Sequence, residues 1–172
     1  QVRNEQAKAL RLMTAPKLTT TWGAGFSFGK CHGERAVGYD PFLPQIFDGE
    51  EFSKFARLWT RGYDVYTPSR SYVFHDYNHL NAPHAQGWRA SRQRDEAAEL
   101  AASNARLWTL LGMPNGATDP AVVEDVRYGT WGLGRKRSLE QLYEYVGVDL
   151  SRKTYYGHQA DRCGTVDFVP FE

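Results

Sequence analysis

Apolar side chains recur at helical spacing in four parts of the chain, and each part carries a start or stop signal. The sharpest pattern is Phe52, Phe55, Ala56 and Trp59, at i, i+3, i+4 and i+7, which predicts an amphipathic helix with one buried face. Asp48 stands where an N-cap belongs, with Glu51 three residues on as its capping-box partner, and Gly62 supplies the C-terminal stop. A longer, alanine-rich helix is expected over residues 91–111, with Ala97, Ala98, Ala101, Ala105, Trp108 and Leu111 as its packing stripe and its charged start in solvent. Thr118-Asp119-Pro120 opens a short helix through Val122, Val123 and Val126, with proline at the first helical position. Ser138 and Gln141 form a capping box before Leu139, Leu142, Tyr143 and Val146.

Elsewhere the pattern shortens to strands. Residues 18–22 read as a strand, Gly23-Ala24-Gly25 as a close backbone approach, and Phe26 and Phe28 as members of a second strand. Residues 63–66 and 71–74 read as two further strands around a turn, the latter delivering His75 at its end, and 165–169 as a final strand. NEQAKALRLM fits a short helix that Pro16 stops, and Tyr39-Asp40-Pro41 opens a turn. A looser hinge is expected around residues 81–88. The order of strands, helix, strands and then helices fits an α/β or α+β domain.

Composition narrows the function little. The 172 residues suit one domain with a sizeable core, and 21 basic against 20 acidic side chains give no general reason to expect nucleic acid or a membrane surface. No apolar run approaches a bilayer-spanning length. Cys31 and Cys163 match neither a zinc spacing nor a disulfide scaffold and read as free buried thiols.

Local chemistry concentrates in residues 36–77. Asp48, Glu50 and Glu51 follow a proline-containing loop beside large aromatics. The helix dipole alone explains acids in a first turn, and a substrate site explains them as well. The glycines at 23 and 25 serve a ligand that approaches bare backbone, or a tight turn. His75 and His79 have the four-residue spacing of a metal pair on a helix, but the strand reading separates them and leaves His75 as a single ligand. Arg135, Lys136 and Arg137 precede a helix start, where they can hold a phosphate or lie in solvent.

TTWGAGFSFGK, YDPFLPQIFDGEEFSKFARLWTRGYDVYTPS, VFHDY and YGTWGLGRKRSLEQLYEYVGVD together resemble the glycosyltransferases that transfer N-acetylglucosamine to polypeptide hydroxyls, including the hydroxyproline of a ubiquitin-ligase adaptor. The resemblance runs over roughly residues 15–150. It implies an α/β, Rossmann-like GT-A fold with a mixed sheet, UDP-N-acetylglucosamine as donor, Mn²⁺ or another divalent cation, and retention of configuration. It places Gly23, Ala24 and Gly25 near the donor and gives Asp48, Glu50 and Glu51 the catalytic contacts to sugar or acceptor. It makes His75 the metal ligand. Trp22, Tyr63 and Tyr66 suit stacking on a pyranose or acceptor peptide, and Arg135 and Arg137 suit the diphosphate.

GT-A enzymes carry an Asp-x-Asp motif, and that triplet does not occur in this sequence. The expectation is therefore the C-terminal part of a transferase that lacks the nucleotide-binding half and is unable to bind UDP or catalyse alone. Residues 1–90 form the C-terminal half of the GT-A catalytic domain, with the donor-sugar, acceptor and metal-histidine part, and residues 91–172 form a helical extension of the same domain. The partners expected are a nucleotide sugar and a polypeptide acceptor, in the cytoplasm, or in the Golgi with an upstream anchor. A metal-dependent hydrolase using His75 and His79 and a non-catalytic sugar- or peptide-binding module are the alternatives.

Overall fold

The computed structural model describes residues 14–73, 96–155 and 166–170. Its order is β1 (Lys17–Leu18), α1 (Cys31–Ala36), α2 (Glu50–Thr60), β2 (Tyr66–Thr67), α3 (Glu96–Leu110), α4 (Pro120–Tyr128), α5 (Leu139–Val146), β3 (Val148–Asp149) and β4 (Thr154–Tyr155). Among the described residues the strands form two antiparallel ribbons, β1 with β2 and β3 with β4. Lys17 lies opposite Thr67 and Leu18 opposite Tyr66, and the Thr19 amide extends the first ribbon by donating to Val65 O at 2.9 Å.

Helix α2 is the centre of the molecule. Phe55, Ala56 and Trp59 are buried as the spacing predicts, and burial continues around the whole helix from Ser53 to Thr60. Its inner face meets α5, where Tyr145 lies 5.3 Å from Trp59 and 6.5 Å from Phe55, ring centre to ring centre. Trp22, Val37, Leu107, Leu142 and Val146 complete the same core. A helix buried on all sides must also satisfy its charges. Lys54 does so with Glu34 at 2.8 Å and the Val37 carbonyl. Arg57 is satisfied only in part: Nη1 donates to Gly38 O at 2.9 Å and the guanidinium lies over Trp131, 5.6 Å from the ring centre, while Nε and Nη2 are buried without a hydrogen-bond partner. Burial, reinforced by nearby Arg61, lowers its pKa to about 10, which leaves it charged at neutral pH.

The start of α2 departs from the sequence reading. Gly49 is the N-cap, in a left-handed conformation with φ 94°, and no side chain caps the helix. Asp48 lies exposed outside it. A side chain at 49 would be strained by its φ whatever the space, and its Cβ would also lie 2.7 Å from Leu107 Cδ2, so the backbone conformation selects glycine here. Glu51 is thereby freed from the capping box. At the other end Gly62, φ 88°, makes the stop that was expected.

Helix α3 also turns differently. Ala97, Ala98 and Ala101 are exposed, whereas Ser103, Arg106, Leu107 and Leu110 face inward. Alanine gains too little from burial to set the helix phase. The leucines and Arg106 set it, the arginine bridging Asp40 at 2.8 Å and Asp125 at 2.6 Å. The remaining helix starts match: Asp119 accepts from the Ala121 amide with Pro120 behind it, and Ser138 and Gln141 form a reciprocal capping box.

The strands are shorter than the alternation suggested. Of the expected strands, 17–18 and 66–67 are the described residues that pair; Phe26 and Phe28 lie in irregular chain, 71–73 are not strand, and 166–170 are irregular. Helix α1 has no apolar period or side-chain cap and was not anticipated. Cys31, at its first position, is exposed rather than buried. The expected N-terminal helix, His75, His79, the expected hinge at residues 81–88 and Cys163 lie outside the described residues.

Candidate functional site

A cleft of about 890 Å³ opens between the segment that follows β1 and the segment that joins α2 to β2. That volume suits a small organic ligand. Its lining includes Trp22, Gly23, Glu51, Tyr63, Asp64 and Tyr66. Five of these are residues the sequence singled out, and they come from three stretches separated by up to some forty positions.

The wall is assembled by one contact in particular. Glu51 Oε1 accepts the Ala24 amide at 2.8 Å, so the first turn of α2 holds the Gly23-Ala24-Gly25 loop directly. The expected capping bond of Glu51 is replaced by this longer-range one. The loop glycines are not required by crowding: a Cβ on Gly23 would approach nothing nearer than Glu51 Oε1 at 3.9 Å, and one on Gly25 meets nothing within 4 Å. Gly23 and Gly25 therefore leave open space where a side chain would fit.

Behind the loop, Trp22 is buried and meets Tyr39 edge to face, with ring centres 6.1 Å apart at 64°. Lys54 Nζ sits over both rings, 4.8 Å from Tyr39 and 5.6 Å from Trp22. This fixes the aromatic wall by cation–π attraction in addition to packing. Glu50 faces this group rather than the cleft lining. Burial, then the neighbouring Glu51 charge, raises its pKa, and Lys54 opposes the rise. The Tyr39 hydroxyl is pushed up by burial and then by Glu50, Glu34 and Glu51. On the far side, His32 packs edge-on against Tyr63 at 5.7 Å, and Tyr66 and Phe28 expose broad aromatic surface.

The basic residues are not brought to the cleft. Arg135 is exposed, and Arg137 is buried with Nη2 2.9 Å from Asp64 Oδ1. Its Nε donates to Val169 O at 2.9 Å and its guanidinium lies 4.7 Å from the Trp59 ring centre. The glycine-aromatic loop at 128–134 packs on the C-terminal end of α2, with Gly134 N donating to Thr60 Oγ1 at 2.8 Å and Arg61 Nη1 to Gly132 O at 2.8 Å.

The sequence reading missed Asp64 and Lys54. Asp64 was visible as the one acid in the aromatic run GYDVY. Lys54 was hidden because a search for apolar stripes passes over a lysine whose charge is satisfied inside. Chemically, the cleft offers flat aromatic faces and ionised oxygen acceptors, the combination that suits a polyhydroxylated ring. Among the described residues no group of three or more His, Cys, Asp or Glu side chains gathers to hold a metal ion. His75, the expected metal ligand, lies outside the described residues. No helix among the described residues is long and apolar enough to cross a membrane.

A family model described as Glycosyltransferase (GlcNAc) matches residues 2–152. Searches of curated proteins and of solved structures return no match. With the family match running through the cleft, both glycine loops and the five helices among the described residues, the chain belongs to the Glycosyltransferase (GlcNAc) family.

Proposed function

We propose that the protein transfers N-acetylglucosamine from UDP-N-acetylglucosamine to a polypeptide hydroxyl, of hydroxyproline or of Ser/Thr, with retention of configuration. The reading places the donor sugar in the cleft between the Gly23-Ala24-Gly25 loop and Tyr63 and Tyr66. The observation that carries it is the Glu51–Ala24 bond: it joins the acidic helix start to an open glycine loop on the rim of an aromatic cleft. Glu51 keeps its second oxygen for a sugar hydroxyl while the first holds the loop. A carboxylate fixed in this way needs little reorganisation as charge shifts on the reacting sugar. Trp22 backs the wall, and Tyr63 and Tyr66 present ring faces.

In this reading the described residues are the sugar and acceptor side of a GT-A, Rossmann-like catalytic domain, with residues 91–172 as its helical extension. A divalent cation such as Mn²⁺, with His75 among its ligands, would neutralise the diphosphate that leaves. The test is GlcNAc transfer from UDP-GlcNAc to a hydroxyproline peptide and a Ser/Thr peptide by the full-length protein, with Glu51→Gln alongside. The expected result is transfer by the wild type and a loss of about a hundredfold in kcat for the variant, of the size seen when a preorganised polar contact is removed. Transfer unaffected by Glu51→Gln overturns the placement of the sugar, and no transfer to either peptide overturns the reaction.

A further inference from the structure

Beyond the residues already assigned, the cleft contains a second carboxylate held by the protein frame. Asp64 follows α2 by a few residues and lines the cleft that Glu51 borders from the other end of the helix. Its Oδ1 lies 2.9 Å from Arg137 Nη2. The arginine side chain is fully buried, whereas that of Asp64 keeps 19% of its surface open. Arg137 is itself locked from several directions: Nε to Val169 O, Nη1 to Trp59 O at 3.4 Å, and its guanidinium between the rings of Trp59 and Phe168, 4.7 and 5.5 Å from their centres. An arginine held so rigidly fixes its partner as well.

Burying a guanidinium costs heavily, and a buried ion pair seldom repays that cost better than apolar packing of the same volume would. Here the acid remains at the cleft surface while the base behind it is sealed. Asp64 Oδ1 forms an ion pair with Arg137 Nη2, an atom that makes no aligned hydrogen bond, so charge attraction holds that oxygen, and Oδ2 is the oxygen left for whatever fills the cleft. Tyr63 and Tyr66, on either side of Asp64 in sequence, line the same space with ring surface. The arrangement repeats that of Glu51, whose Oε1 is tied to the Ala24 amide.

We propose that Asp64 is a substrate-binding residue that accepts a hydroxyl of the transferred sugar, and that Arg137 is the positioning residue that aims it. The inference rests on the function proposed above and adds a specificity determinant to it. Removing a hydrogen bond to an ionised acceptor weakens recognition by about ten- to a hundredfold. A purely structural Asp64 would lower stability with no preference among donor hydroxyls.

The experiment compares UDP-GlcNAc with its 3-deoxy, 4-deoxy and 6-deoxy analogues as donors to a peptide acceptor, using the full-length wild type and the Asp64→Asn, Asp64→Ser and Arg137→Lys variants. The ratio of kcat/KM between donors does not depend on the fraction folded, so destabilised variants remain informative. The wild type should disfavour one deoxy donor by about tenfold or more, and Asp64→Asn should bring that ratio close to one while leaving the other two ratios unchanged. Arg137→Lys should shrink the same ratio partway. Unchanged ratios in the Asp64 variants overturn the inference while leaving the transfer reaction standing. If neither Asp64 variant folds, Arg137→Lys decides: a shrunken ratio for one deoxy donor with the other two ratios unchanged supports the proposal, and three unchanged ratios overturn it. A wild type that transfers nothing overturns the functional reading and this inference together.

Discussion

Helix α2 ends on a glycine loop at both termini, and the two loops use glycine for opposite reasons. At the N-terminal end Gly23 and Gly25 have room for a side chain, and one bond, Ala24 N to Glu51, holds the loop. At the C-terminal end there is no room. A Cβ on Gly129 would collide with Asp125, one on Gly132 with the Val126 carbonyl, and one on Gly134 with the backbone of Thr60 and Arg61. Arg61 reinforces that loop by donating to Gly132 O and to Thr130 O at 3.0 Å. In the second loop glycine admits the protein's own backbone. In the first the fold leaves the space unfilled, as expected of a surface that admits a ligand.

The largest effect that separates the loops is on stability. Gly132→Ala and Gly134→Ala force backbone apart and should each cost about 3 kcal/mol or more, read as a lowered midpoint in denaturant. Normal stability in both variants would remove the distinction. Next comes Arg61→Met, which takes away the two bonds to the loop carbonyls and is expected to lower stability by about 1–2 kcal/mol in the same measurement. Gly25→Ala, in the open loop, should stay within about 0.5 kcal/mol of the wild type. A large loss there would show that the first loop is packed as tightly as the second.

The smallest effect is a pH dependence beside the open loop. The folded pKa of Glu50 is raised, chiefly by burial, so the folded state holds its proton more tightly than the unfolded chain does. Its unfavourable contribution is absent at acid pH and grows as pH rises from the ordinary glutamate range through the folded value. Glu50→Gln should therefore raise the thermal midpoint slightly at neutral pH, with the difference from the wild type vanishing in acid. A difference that grows in acid would contradict the assignment.

Much of this was legible in the chain because it depends on local rules. The inward face of α2, the caps at Asp119 and Ser138 and the stop at Gly62 follow from neighbours in sequence. What was not legible depended on backbone conformation and distant contacts. The left-handed backbone at Gly49 makes it and not Asp48 the start of α2, and Asp40 and Asp125 decide which face of α3 turns inward through Arg106. At the site, the sequence grouped Trp22, Gly23, Glu51, Tyr63 and Tyr66, which do line one cleft, but assigned Arg137 to a phosphate while it is buried against Asp64. No periodicity distinguishes an arginine that binds a ligand from one that braces the carboxylate beside it.

The central claim is that the sugar lies against the open loop, and Gly23→Leu tests it most directly. Gly23 lines the cleft, and its backbone tolerates a Cβ in ordinary contact. The account predicts a thermal midpoint close to that of the wild type with GlcNAc transfer reduced by about a hundredfold, because the leucine displaces the sugar from its reactive position. Full transfer activity in a stably folded Gly23→Leu protein would contradict it.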